Sequence, residues 1–121
     1  MVFDVLTGIC SVCFLMITLL YPFRRKVKLF PKIGKLKFHC IAGFLFFLSA
    51  IIHINTKLLS PFFSAGYVTF FALTLVVVTG ILKRRFMKNK LLYYSHIAFV
   101  GVLILAILIH VIQQILNLLI L

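Results

Sequence analysis

The sequence predicts an all-α membrane protein, a transmembrane four-helix bundle with both termini outside. Of its 121 residues 64% are hydrophobic, and one acidic residue stands against 13 basic ones. A soluble domain of this length needs a largely polar surface, so this balance places the chain among membrane proteins. A single integral membrane domain over residues 1–121 is expected, because nothing outside the apolar segments is long enough to fold separately.

The predicted spans are four apolar segments, each about 20 residues long, the length a helix needs to cross about 30 Å of hydrocarbon. They lie near residues 3–21, 36–58, 62–82 and 91–116. Helix is the expected state, since open strands leave backbone groups unpaired in lipid. Pro61 opens the third segment, where proline is tolerated. The first segment is expected to be a retained helix, because no basic residue precedes it as in a signal peptide.

The basic residues fall almost entirely in two loops, and this distribution predicts the orientation of the spans. The first loop holds Arg24, Arg25, Lys26, Lys28, Lys32, Lys35 and Lys37, and the second holds Lys83, Arg84, Arg85, Lys88 and Lys90. The positive-inside rule places both loops in the cytoplasm of a cell whose plasma membrane the chain spans. The net charge of +12 is therefore a topology signal, and no nucleic-acid partner is expected. Contact with anionic membrane lipid and docking of an acidic partner are both open roles for these loops.

All four histidines lie in the second and fourth segments, in two equal steps. His39 and His53 are 14 positions apart (53 − 39), and His96 and His110 are 14 positions apart (110 − 96). In a helix, 14 residues return to within about 40° of the starting face and rise about 21 Å. Each helix therefore presents one histidine near the inner membrane surface and one near the outer surface, on one face.

The spacing predicts two haem b groups, each with two histidines as axial ligands. The second and fourth helices both run from inside to outside, so His39 lies level with His96 and His53 with His110. The first pair would bind the inner haem iron and the second pair the outer haem iron. The alternative is that each histidine packs in the core, hydrogen-bonded to a neighbouring helix. Zinc is disfavoured, because each level offers two ligands where zinc takes three or four from the protein.

Three further residues are candidate cofactor contacts. Gly43 lies on the ligand face of the second helix, where a small residue serves either the macrocycle or close helix packing. Lys57 and Gln114 follow the outer histidines by about one turn. They are candidates to meet haem propionates, with snorkelling to the interface as the alternative.

The segment Phe38-His39-Cys40-Ile41-Ala42-Gly43, continuing to His53, resembles the first ligand helix of the ferric reductase and NADPH oxidase membrane domain. The segment from His96 to His110 is similar to that family's second ligand helix. The resemblance implies haem ligation by these histidines, with one helix between the two ligand helices. The family domain usually has six spans, and this chain lacks its first and last spans and its FAD- and NADPH-binding region.

The sequence thus predicts a cytochrome b that carries electrons across the bilayer as subunit or partner of a redox enzyme, with no complete catalytic site in this chain. The other end of the path is an external ferric or other acceptor, or a quinone, which is left open as a further cofactor. A cytoplasmic flavin or iron–sulfur protein is the expected donor, and hetero-oligomer formation is open. The alternative function is a non-redox small membrane transporter or scaffold subunit, whose histidines relay protons or pack. The pair Cys10 and Cys13 is expected to serve packing.

Overall fold

The computed structural model describes residues 2–20, 34–55 and 65–120, and within these ranges the chain forms four α-helices and no strand. The helices are α1 (Val2–Leu19), α2 (Lys35–Asn55), α3 (Ala65–Arg85) and α4 (Lys90–Ile120). The predicted all-α class is confirmed. Positions 21, 56–58 and 62–64 of the predicted spans lie outside the described residues, as does most of the first basic loop.

Two helices continue past the carboxyl ends of their predicted spans. The third was expected to end at residue 82, but α3 continues to Arg85, with three basic residues in its last turn. Cations interact favourably with the carboxyl end of a helix, and their long side chains leave the apolar region while the backbone stays helical. α4 has 31 residues, about 46 Å at 1.5 Å per residue, because no proline or glycine follows Gly101 to stop it.

The turn between α3 and α4 is short and hydrogen-bonded. Asn89 caps α4, its Oδ1 accepting from the Leu91 amide at 2.9 Å. Such a cap satisfies an amide that lacks a partner inside the helix. The Lys83 ammonium lies 4.5 Å from the centre of the Tyr93 ring, a cation–π contact that joins the end of α3 to the start of α4.

The chain divides into two compact units, Met1–Ser60 and Pro61–Leu121. In the first, α1 packs antiparallel against α2 around the buried side chains of Leu15, Ala42 and Phe46. Ser11 of α1 and Ser49 of α2 are joined by a hydrogen bond of 2.8 Å between their hydroxyl oxygens. Small residues and hydroxyl pairs of this kind allow helices in lipid to approach closely.

The second unit is the antiparallel pair of α3 and α4. Its buried side chains are Ala72, Leu73 and Thr79 on α3 and Leu103 and Ala106 on α4. Leu103 is the most deeply buried of them, with 1% of its surface exposed. As in the first unit, each helix gives the partner a narrow strip and leaves most of its apolar surface uncovered.

Within the described residues, three helices are long and apolar enough to cross a membrane by length and composition: Leu36–Ile54, Ala65–Arg85 and Lys90–Ile120. Their mean hydropathies are 1.7, 2.1 and 2.5. α1 contributes the shorter apolar stretch Val5–Leu19, so the fourth span stays a prediction. Large apolar side chains are exposed along every helix, which lipid tolerates and water does not. The protein is membrane-embedded.

Candidate functional site

Both histidines of α2 turn their Nδ1 atoms toward α1. His53 Nδ1 lies 3.0 Å from the Thr7 hydroxyl oxygen, near the first turn of α1. His39 Nδ1 lies 3.3 Å from the Thr18 carbonyl oxygen, at the other end of the same helix. Both rings are half-buried. The antiparallel packing of α1 on α2 thus gives each histidine an oxygen partner at its own level.

On α4, His96 contacts α3 in the same way. Its Nδ1 atom lies 3.1 Å from the Val76 carbonyl oxygen and 3.2 Å from the Thr79 hydroxyl oxygen. His110 lies half-buried on the same helix, and its Nδ1 atom is buried. In the second unit, as in the first, the helix without histidines supplies oxygens to a histidine of its partner helix, here to Nδ1 of His96.

The carbonyl oxygens determine the tautomer of two of these rings. A carbonyl oxygen only accepts hydrogen bonds, so a ring nitrogen that bonds to it must carry the hydrogen. His39 and His96 therefore donate from Nδ1. In an uncharged imidazole with Nδ1 protonated, the lone pair is on Nε2.

The threonine hydroxyls lead to the same tautomer. Thr7 donates its hydroxyl hydrogen to the Phe3 carbonyl on its own helix, at 3.0 Å, and Thr79 donates to the Leu75 carbonyl at 2.7 Å. A hydroxyl has one hydrogen, so the oxygen of each is then left to accept. His53 consequently donates from Nδ1 to Thr7. The three histidines with an assigned Nδ1 acceptor all place the lone pair on Nε2.

This arrangement is compatible with metal ligation, and it is also the one that a histidine packed in the core and hydrogen-bonded to a neighbouring helix adopts. Ligating imidazoles commonly donate their other N–H to a carbonyl or similar oxygen, which fixes the ring orientation and raises the basicity of the ligating nitrogen. No group of three or more His, Cys, Asp or Glu side chains that could hold a metal ion occurs within residues 2–20, 34–55 and 65–120. A haem iron needs two protein ligands, since the porphyrin fills the other four positions.

Two glycines adjoin the histidine rings. A Cβ atom added at Gly8 would lie 3.4 Å from His53 Cε1, and one added at Gly80 would lie 3.2 Å from His96 Cε1. Carbon atoms pack best at about 3.5–4.0 Å, so a side chain at either glycine would crowd the imidazole that it faces. By contrast, a Cβ at Gly101 would meet nothing within 4 Å.

The other three residues predicted to contact a haem are Gly43, Gln114 and Lys57. Gly43 is half-buried against α1, and a Cβ there would lie 3.9 Å from Thr18 Cγ2. Both roles of Gly43, close helix packing and contact with a macrocycle, stay predictions. Gln114 is half-buried on α4, about one turn after His110. Lys57 lies outside the described residues. The pairings of His39 with His96 and of His53 with His110 join the two units and stay predictions.

Sequence reasoning missed the residues on α1 and α3 that contact the histidines. A Thr-Gly step occurs twice in the chain, at Thr7-Gly8 and at Thr79-Gly80. Each step lies in an apolar helix without histidine, and each adjoins one histidine of the partner helix. The signal in the sequence that could have identified these residues is a polar residue followed directly by a small one within an apolar helix. The cysteines of the described helices form no disulfide, and Cys10 and Cys13 are exposed on α1.

Comparison with known proteins adds no family. No protein-family model matches the chain, and neither a curated protein nor a solved structure does. The resemblance to the ferric reductase and NADPH oxidase membrane domain accordingly stays a prediction that depends on the histidine spacing in the two ligand helices.

Proposed function

We propose that the chain is a membrane cytochrome b that carries electrons across the bilayer through two haem b groups. His39 and His96 would hold the inner haem iron, and His53 and His110 the outer one. The observation that carries the proposal is the set of oxygens facing Nδ1 of His39, His53 and His96. They place the lone pair of each ring on Nε2, the nitrogen that would bind iron.

The haem, when bound, supplies reversible one-electron chemistry at its iron. The residues of the chain bind and orient it. Two histidines would hold each iron, and an iron held in this way suits electron transfer rather than binding of oxygen. The two ligands on each helix are about 21 Å apart along its axis, so the levels lie near opposite membrane surfaces. Apolar side chains around them exclude water.

The two ends of the path define the proposed partners. The last turn of α3, the short connection and the first residue of α4 together carry five basic residues: Lys83, Arg84, Arg85, Lys88 and Lys90. Under the positive-inside rule this connection is cytoplasmic in the plasma membrane. Its charge suits an acidic flavin or iron–sulfur protein as electron donor. At the outer haem, electrons would pass to an external ferric or other acceptor, or exchange with a quinone. We propose the chain as a subunit or partner of that redox enzyme.

Electron transfer across sealed vesicles tests the proposal. The full chain is reconstituted in liposomes that contain dithionite, and reduction of external ferricyanide is followed by absorbance. The wild-type chain is expected to reduce ferricyanide well above the rate of protein-free liposomes. His53→Ala is expected to lose the outer haem, keep the inner one, and fall close to the protein-free rate, because the path then lacks its outer half.

Ile52→Ala is the matched control. Ile52 neighbours His53 but is 46% exposed on α2, so its truncation is expected to leave both haems and the rate unchanged. A wild-type chain that transfers no more electrons than empty liposomes would contradict the function. It would favour a non-redox transporter or scaffold instead.

A further inference from the structure

Two threonines on α1 and α3 contact the Nδ1 atoms of histidines on the partner helices. We propose that Thr7 and Thr79 are positioning residues, whose hydroxyl oxygens hold His53 and His96 with Nδ1 protonated so that Nε2 binds iron. The effect on haem rests on the proposed function. The effect on the histidine tautomer does not, because it follows from the hydrogen bonds of the protein alone.

Each of the two threonine hydroxyls lies between a carbonyl of its own helix and a histidine ring of the partner helix. The Thr7 hydroxyl lies 3.0 Å from its own helix carbonyl at Phe3 and 3.0 Å from His53 Nδ1. Only one of these contacts can use the hydroxyl hydrogen, and the carbonyl cannot donate. The imidazole must therefore supply the second hydrogen. Thr79 has the same arrangement, between Leu75 O at 2.7 Å and His96 Nδ1 at 3.2 Å.

Other threonines separate this role from ordinary helix packing. Thr69 and Thr74 on α3 make the same bond to their own helix, each at 2.9 Å, which satisfies a hydroxyl in an apolar helix. Among the described residues, neither hydroxyl contacts a histidine ring. The bond to the backbone is thus common to these threonines, whereas the bond to an imidazole belongs to Thr7 and Thr79.

The adjacent glycines supply a second, independent observation. Gly8 and Gly80 each follow one of these threonines directly, and each faces the ring that its threonine contacts. The nearest ring atom would lie 3.4 Å from a Cβ at Gly8 and 3.2 Å from one at Gly80. One residue of each step thus provides the acceptor, and the next leaves room for the ring to reach it.

Loss of either hydroxyl has a defined consequence. An acceptor on Nδ1 makes Nε2 a more basic ligand, and removing such an outer partner of a ligand commonly costs about 10–100-fold in metal affinity. Thr7→Val keeps the side-chain shape and removes the acceptor. We expect weaker binding of the haem held by His53 and a higher midpoint potential for it, since a less basic ligand stabilises ferric iron less. Thr79→Val is expected to act more weakly, because His96 also contacts the Val76 carbonyl.

The test measures the Nδ1 hydrogen bond of His53 and the haem potentials on the same protein. The full chain is labelled with nitrogen-15 histidine and placed in lipid bilayers. Nitrogen-15 spectra are recorded in the reduced, diamagnetic state. A redox titration then gives the midpoint potential of each haem. Thr7→Val is expected to change the Nδ1 signal of His53 and raise one potential, while Thr7→Ser restores both. Thr74→Val is the matched control, and it is expected to alter neither.

The possible outcomes separate the two proposals. If Thr7→Val leaves the His53 signal and both potentials as in wild type, or if Thr74→Val shifts them equally, the positioning role is refuted while the cytochrome function stands. If the chain holds no haem, the proposed function fails and the nitrogen-15 signals alone decide the positioning role. Should Thr7→Val not accumulate in the membrane, Thr7→Ala, which also lacks the acceptor, is measured in the same way.

Discussion

Replacement of Gly80 by alanine is expected to displace the His96 imidazole. The new Cβ would lie 3.2 Å from His96 Cε1, against an ordinary carbon–carbon separation of about 3.5–4.0 Å, so the ring must move by about 0.3–0.8 Å. Its Nδ1 atom now lies 3.1 Å from the Val76 carbonyl. A shift of about 0.5 Å away from that oxygen lengthens the contact beyond hydrogen-bonding range.

The expected cost follows from this displacement. Crowding in a packed interior costs about 1–3 kcal/mol, and the lost hydrogen bond contributes about 0.5–1.5 kcal/mol. Part of this is relieved as the helices adjust, and alanine is a better helix former than glycine by about 1 kcal/mol. Helix propensity acts on folding and not on the ligand, so the displaced ring and the lost bond set the effect: we expect the haem held by His96 to bind about 1–2 kcal/mol, or about 5–30-fold, more weakly.

Haem transfer to an excess of an apo-globin measures this loss. Gly80→Ala is expected to release one haem faster than wild type, and Gly8→Ala to show a smaller effect, because its Cβ would lie 3.4 Å from His53 Cε1. Gly101→Ala is the matched control, since it makes the same change of helix propensity where nothing lies within 4 Å. Equal release rates for Gly80→Ala and Gly101→Ala would refute the reasoning.

Two further predictions concern the first unit. Gly43→Ala is expected to leave the thermal midpoint of the protein unchanged or slightly higher, because its Cβ would lie 3.9 Å from Thr18 Cγ2, an ordinary contact, and alanine is the better helix former; loss of a haem from this otherwise stable variant would assign Gly43 to the macrocycle. Ser49→Ala is expected to lower the free energy of unfolding by about 0.6 kcal/mol, a typical value for a hydrogen bond between membrane helices, because it removes the 2.8 Å bond to Ser11. Denaturant titration in detergent measures this, and an unchanged haem content is expected.

The fold class could be predicted from the sequence, because the length of an apolar segment and the cost of unpaired backbone in lipid leave few alternatives. The helix ends were less predictable. Hydrophobicity ends at Lys83, but the backbone stays helical to Arg85, since a long basic side chain reaches the interface from inside a helix. The N-terminus of α4 at Lys90 agrees with the predicted span to within one residue.

The candidate site could be predicted only in part. The 14-residue step between His39 and His53 is visible in the sequence, and helix geometry then predicts that they lie on a common face. Their partners on α1 could not be predicted, because its threonines resemble those that bond only to their own helix. The register of α1 against α2 decides that Thr7 meets His53, and that register follows from packing.

The haem content and reduced spectrum of the purified full chain test the central claim most directly. Two haem b groups per polypeptide are predicted, with the α-band of a low-spin, bis-histidine b-type haem on reduction. Each ligand pair is expected to account for one haem, so His39→Ala and His53→Ala should each lower the content from two to one. A purified, folded chain that contains no haem and shows no α-band on reduction would contradict the account.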